Sequence, residues 1–312
     1  MEKHIGDKKW KWLQLNKNEI DRGNSSIDGC GSNDWLEQVR ENRTNCLRVG
    51  VLEDGEKVLK GSLIYQQNFH EERDYKIFHF HVTTDQLMTV DLNLSSLKHI
   101  DPEFLLGQIE QTENAVDGFL IFLGELMNEM LVEIDQFEEA LKTLVWSIRK
   151  RNEMRIFELV YLRRHELLIW KSLLIPILEL RMAMEELNFK EESSAEIFTC
   201  TCKRIERAMA LLNEYEHEMD SIIKLEEVIS SHRGNEIMKT LTVMTTIFTP
   251  IMAFGALWGM NFKHMPELEW KYSYLLSILV IVVSTVLLYG YLKVKGWTGD
   301  LLKGKKKGSF FK

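Results

Sequence analysis

Hydrophobic positions along this 312-residue chain follow three different patterns in turn. Over roughly the first 110 residues they come in short, partly alternating runs bounded by polar stretches. Trp10–Leu15, Leu47–Leu52, Val58–Tyr65, Ile77–Thr83 and Leu87–Asp91 predict strands. Thr84-Asp85-Gln86 predicts a tight hairpin between the last two, and Asp34–Arg43 a short helix. From Pro102 onward the period becomes 3.6. Phe104–Arg151 and Asn152–Phe189 predict two long helices, the second kinked at Pro176. Ser193 and Glu196 form a capping-box signature for a third. Its apolar positions Ile205, Ala208, Leu212, Tyr215, Met219 and Ile222 recur at the 3-4 spacing of helix-on-helix packing.

The periodicity then gives way to two runs without charge. Thr240–Phe262 spans 23 residues and Tyr272–Leu292 spans 21, each beyond the roughly 20 that cross a bilayer core. Nine residues separate them, which predicts a hairpin of two transmembrane helices. No proline falls between Ser193 and Pro250, so one helix is expected from the stalk through the first span. At 1.5 Å per residue, Ser194–Phe262 would be about 100 Å long. The predicted architecture is an α+β domain with long helices, followed by two C-terminal transmembrane helices. Its parts are an α/β domain (1–112), a helical segment (113–192) and a stalk continuous with span one (193–262). A loop (263–271), span two (272–292) and a basic tail (293–312) complete it.

Charge sets the expected orientation. Residues 235–312 carry ten lysines and four acids, net +6, whereas residues 1–234 carry 29 basic and 43 acidic side chains, net −14. The lysines after the second span predict a cytoplasmic C-terminus by the positive-inside rule. "MEKHIGDKKWKWLQL" has no apolar centre of the kind a signal peptide needs. Both termini are thus expected in the cytoplasm, with a plasma-membrane hairpin between. An acidic cytoplasmic part repels nucleic acid and attracts cations. The four cysteines form no CxxC pair, and Cys200 and Cys202 predict packing residues. His79 and His81 share a strand face, where they could bind a metal; a half-exposed sheet surface explains them equally well. The acids Asp117, Glu125, Glu129, Glu133, Asp135, Glu138 and Glu139 predict a solvated helix face.

One stripe of the first span stands apart. At spacings of three and four it reads Asn235, Met238, Thr242, Thr245, Thr249, Met252, Ala256, Gly259: small, hydroxyl, thioether or amide throughout. The other side carries Ile237, Met244, Ile247, Phe248, Ile251, Phe254 and Trp258. Two spans cannot enclose a pore, so several copies are expected to line a shared axis with this stripe. It holds no carboxylate, histidine or cysteine, which argues against a dehydrated or transition-metal site. Mg²⁺ releases its waters reluctantly, and amide, hydroxyl and carbonyl oxygens can hold those waters in place.

The span ends on Gly259-Met260-Asn261, preceded by an aromatic and followed by "MPELEW", a second span and a lysine tail. With Asn235-Glu236, Met238-Lys239, Leu241-Thr242 and Pro250, this resembles the CorA magnesium-transporter family over about residues 230–297. The resemblance implies a homopentameric channel-like transporter for Mg²⁺, also passing Co²⁺ or Ni²⁺ and gated by intracellular Mg²⁺, without an organic cofactor or enzymatic activity. It implies a selectivity filter at Gly259, Met260 and Asn261, the last ringing the outer mouth and holding the hydrated ion. The implied pore lining is Asn235, Met238, Leu241, Thr242, Thr245, Thr249, Met252 and Ala256, with Met238 and Leu241 as the apolar gate. Trp258 stands where tyrosine is common, and Thr249 where methionine often precedes the proline. The family's regulatory metal sites do not align; Glu53, Asp54 and Glu196 are the candidates. The alternatives are a Zn²⁺/Co²⁺ transporter on the same fold and a membrane-tethered helical signalling protein.

Overall fold

The computed structural model describes residues 2–5, 10–20, 33–52, 55–150, 153–189, 193–261, 265–266 and 270–297. They fall into two units, Met1–Ile222 and Ile223–Lys312.

The first unit is built on a sheet ordered β1-β2-β6-β5-β4-β3. Its strands are β1 Glu2–Ile5, β2 Trp10–Leu15, β3 Cys46–Val51, β4 Lys57–Gln67, β5 Tyr75–Val82 and β6 Gln86–Val90. Every pairing is antiparallel except β2 with β6. The five runs read from the sequence are all strands. β1 lies in "EKHI", too short and polar to register as one. The side chains alternate across the sheet as the period of two requires. Phe78 and Phe80 project to one face, where they meet Phe122 and Phe119 of the long helix α4, Ala115–Lys150. On the other face Leu13, Leu15, Met88 and Val90 close over Trp35, Leu36 and Val39 of α2, Asn33–Glu41, and Ile20 of α1, Lys17–Ile20.

That second layer corrects one expectation. His79 and His81 do not sit on a half-exposed face; they are 1% and 2% exposed, with His81 against the Trp35 ring. His79 Nδ1 lies 2.6 Å from Ser62 Oγ, while His81 Nδ1 is buried without a hydrogen-bond partner. Burial holds both imidazoles near pKa 4, helped by the Lys17 charge for His79 and Lys60 for His81. Nor do they form a metal centre: among the described residues no three His, Cys, Asp or Glu side chains converge.

The helices begin with α3, Pro102–Glu110, capped by Asp101, whose carboxylate accepts the Glu103 N–H. The single helix expected from Phe104 to Arg151 is therefore broken. Thr112 turns its hydroxyl to the Ile109 carbonyl and gives its own carbonyl to the Trp10 indole, ending α3. Asn114 Oδ1 then accepts the Asp117 N–H and starts α4. Gly118 follows one turn later because the Trp10 ring lies there. A Cβ at Gly118 would stand 2.7 Å from it, inside any tolerable contact. Gly118→Ala is expected to cost about 1–3 kcal/mol through overpacking, read as a lower midpoint of chemical denaturation.

Helix α5, Glu153–Glu186, continues through Pro176 as one element. Helix α6 runs without interruption over 64 residues, Ala195–Trp258, as the sequence led us to expect. Its predicted stripe from Ile205 to Ile222 is buried. Tyr215 meets Phe137 and Glu138 of α4, and Asp220 and Glu216 pair with Arg164 and Lys171 of α5. The capping box does not form. Instead Asp117 Oδ1, 77 residues away, accepts the Ser194 N–H at 2.8 Å, and Ser193 Oγ is buried without a partner among the described residues.

The acids of α4 are likewise more than a solvated face. Asp117 and Glu129 are buried. Glu129 accepts the backbone N–H groups of Lys98 and His99, and Glu125 pairs with Arg204. Burial pushes the Asp117 carboxyl above the usual range, partly offset by the Ser194 N–H and the Asn114 amide. Of the paired cysteines, Cys202 is a packing residue but Cys200 is exposed; Cys30 lies outside the described residues.

The second unit holds the remainder of α6 and helix α7, Ser273–Val294. Both are long and apolar enough to cross a membrane, and the apolar windows are only 11% and 6% buried. Exposed apolar surface on this scale implies a lipid or protein environment, not water.

Candidate ion pathway

The end of α6 carries three distinct faces. Val243 and Pro250 are buried and Ile247, Phe254 and Trp258 half-buried. They lie on one side of the helix by the 100° step per residue. The complementary positions on α7 are Ser273, Ser277, Val280, Ile281, Ser284 and Leu288, all half-buried, with Leu292 buried. At the C-terminal end of α6 Trp258 shares a cavity of about 270 Å³ with Ser273, Tyr274, Ser277 and Val280. A second face, Ile237, Met244, Phe248 and Ile251, is apolar and exposed. The large-residue side thus divides into a part turned to α7 and a part left for lipid.

The third face is the polar stripe. Asn235, Met238, Leu241, Thr245, Thr249, Met252 and Ala256 are exposed and Thr242 half-buried. The threonine hydroxyls are all committed in the same way. Thr242 Oγ1 donates to the Met238 carbonyl at 2.8 Å, Thr245 Oγ1 to those of Leu241 and Thr242 at 3.0 Å, and Thr249 Oγ1 to that of Thr245 at 2.7 Å. A hydroxyl has one hydrogen and two lone pairs. With each hydrogen spent on the helix itself, the three oxygens can act only as acceptors. The water shell of a cation is a surface of donors, so the match is chemical as well as steric. Side-chain bonding to a carbonyl one turn back is common for threonine in helices.

The helix stops at Trp258. Gly259 N–H still reaches the Gly255 carbonyl at 2.9 Å, and Met260 N–H the Leu257 carbonyl at 3.4 Å. A Cβ on Gly259 would come to 2.9 Å from that same Gly255 oxygen, which is why the position suits glycine. Met260 and Asn261 follow, both exposed. Around this end stand Trp258, Trp270, Tyr272 and Tyr274, an aromatic group of the kind that marks a membrane–water boundary.

Of the candidate regulatory acids only Glu196 lies among the described residues. Glu53 and Asp54 lie outside the described residues. Glu196 is exposed on the first turn of α6, at a cleft of about 780 Å³ that it shares with Glu113, Asp117, Glu125 and Arg204. What the sequence missed there is Asp117 itself, whose spacing from Ser194 gives no signal.

An α/β/α domain whose last helix runs on into the first of two candidate membrane spans, with a stripe of small residues and helix-bonded threonines ending in Gly-Met-Asn, defines a membrane transport protein. A family model described as CorA-like Mg²⁺ transporter protein matches residues 52–294. The Magnesium transport protein CorA of Bacillus subtilis (strain 168) is 43% identical over 312 residues, covering 98% of this chain and 97% of that protein. The chain therefore belongs to the CorA-like Mg²⁺ transporter family, whose members are transporters and not enzymes. The Cobalt/magnesium transport protein CorA of Thermotoga maritima is 43% identical over 67 residues, 22% of this chain and 19% of that protein. The fold is shared with the CorA magnesium transporter of Methanocaldococcus jannaschii: TM-score 0.65 at 17% identity, over 94% of this chain and 93% of that one. The full-length CmaX protein gives a TM-score of 0.63 at 16% identity, over 92% and 89%.

Proposed function

We propose that copies of this chain assemble, as a homopentamer, into a channel-like pathway for hydrated Mg²⁺, with Co²⁺ and Ni²⁺ as further cargo. The observation that carries this is the stripe from Asn235 to Ala256, exposed along one helix and stripped of free hydroxyl donors. Membrane potential suffices to drive influx: about 4.6 kcal/mol for a dication at 100 mV. Both termini lie in the cytoplasm on this reading, and the chain spans the plasma membrane twice. Zn²⁺ as the main cargo is disfavoured, since imidazole and thiolate ligands are absent from the stripe.

The test is ion uptake by purified protein in liposomes, with the assembled mass measured in parallel. Thr249→Val, which keeps the shape but removes the acceptor, is expected to slow Mg²⁺ uptake about tenfold, the equivalent of 1.4 kcal/mol. Thr249→Ser should restore it. A stable monomer in detergent and in lipid, or a valine variant as fast as wild type, would remove the pathway from this face.

Gating follows from charge. Five parts of net −14 repel one another, and bound Mg²⁺ would relieve that repulsion and hold the ring closed. Because no three ligands converge within one chain among the described residues, such sites would form between copies. Met238 and Leu241 are the apolar pair that closes the pathway by dewetting. Raising Mg²⁺ from micromolar to about 10 mM, above the weakest module affinities, is expected to lower conductance and slow proteolysis of the cytoplasmic helices. Met238→Ser should leak at both concentrations. Conductance and proteolysis that ignore Mg²⁺ would end the feedback model.

A further inference from the structure

The outer filter rests on a short tether. Beyond Trp258 the triplet is held, among the described residues, by the backbone bonds of Gly259 and Met260 to the last helical turn. That turn has few side chains able to fix its position. Gly255 and Ala256 offer almost nothing to pack, and Leu257 and Met260 are about half exposed.

Trp258 is the exception. Its indole stacks on Phe254, ring centroids 5.4 Å apart and planes 21° from parallel. It lines a cavity whose other wall is the first two turns of α7, Ser273, Tyr274, Ser277 and Val280, with Trp270 at the rim. In the last helical turn the indole is thus the large group, among the described residues, that faces the start of the second span.

Resting on the pathway proposed above, we infer that Trp258 is a positioning residue for the Asn261 amide, setting its height against the second span and thereby the mouth's fit to a hydrated ion. Trp258 does not touch the cargo on this view. It acts through the last helical turn. Tightening or loosening the tie changes how well five amides together match the diameter of the water shell, which affects apparent affinity and ion discrimination before maximal rate. A small misplacement of binding groups is enough for large effects when the geometry is shared by every copy.

The experiment compares Trp258→Ala, Trp258→Tyr and Phe254→Ala as full-length proteins in liposomes, measuring KM and maximal rate for Mg²⁺ and for Co²⁺, with assembled mass as control. Trp258→Ala is expected to raise KM for Mg²⁺ about tenfold and to change the Mg²⁺/Co²⁺ ratio, while Trp258→Tyr restores both. Phe254→Ala removes the stacking partner and leaves the indole. It should shift KM in the same direction by a smaller factor, and it decides the matter if Trp258→Ala does not assemble. A residue that only stabilises would reduce the amount of assembled protein and leave KM and the ion ratio of that protein unchanged, which would overturn the inference. Asn261→Ala, run beside them, separates the two layers. If it transports normally, the filter reading and this inference fall together. If it is inactive while Trp258→Ala keeps wild-type KM and ratio, only the inference falls.

Discussion

Asn261→Ala is expected to reduce Mg²⁺ uptake by about a hundredfold or more in protein that still assembles, roughly 2.8 kcal/mol at 1.4 kcal/mol per decade. The substitution removes the exposed amide at the end of the Gly259-Met260-Asn261 triplet. A hydrated dication entering the mouth must exchange hydrogen bonds to bulk water for bonds to the protein. The amide oxygen accepts such bonds from first-shell water without asking the ion to shed it, which suits an ion that dehydrates reluctantly. Alanine's side chain offers no acceptor, and in the assembly proposed above the loss would repeat in every copy. The side chain is exposed in the single chain, so its removal opens no core cavity and folding should be unaffected. Uptake at the wild-type rate by an assembled Asn261→Ala protein would place the filter elsewhere on the stripe.

Acid is expected to weaken the sheet domain through His79 and His81. Both are buried and held neutral, with pKa lowered to about 4 from 6.5. The unfolded chain therefore binds more protons than the folded one between those values. Stability is full above about pH 6.5 and is lost as pH falls toward 4. At 1.36 kcal/mol per unit, the loss reaches about 3 kcal/mol for each imidazole. The neighbouring charges act in opposite senses, Lys17 and Lys60 opposing protonation and Asp91 favouring it at His79. Asp117 carries the reverse sign, since its raised pKa favours the folded state as it protonates. Denaturation midpoints measured from pH 7.5 to 4.5 should fall steeply in wild type and less so in His81→Leu. That variant also removes a buried nitrogen with no partner. Equal midpoints at pH 7 and pH 5 would show that neither ring is buried in its neutral form.

Alternation read from the chain placed five strands within two residues of their ends, because most of them bury one apolar face under α4 or α5. It could not reveal α2 as a cover for the opposite face. His79 and His81 therefore looked half-exposed, although Met88 and Val90 beside them are core. The acids of α4 were misread for a related reason. On a helical wheel Asp117 and Glu129 look like any solvated positions, and what buries them is backbone N–H groups 77 and about 30 residues away in sequence. The stripe of α6 is a local pattern of residue size, hydroxyls and spacing, and the structure adds that most of its positions are exposed. The division of the opposite face between α7 and lipid was not legible in the sequence, because Ile247 and Ile251 are the same residue and differ only in neighbours.

The uninterrupted ladder of α6 has a mechanical consequence. From Ala195 to Thr249 there is no proline, and the first missing backbone donor is at Pro250, just beyond Met238 and Leu241. With every interior donor in place over those 55 residues, the helix has no joint before Pro250, so any bend must be spread over many turns instead of being taken up at one.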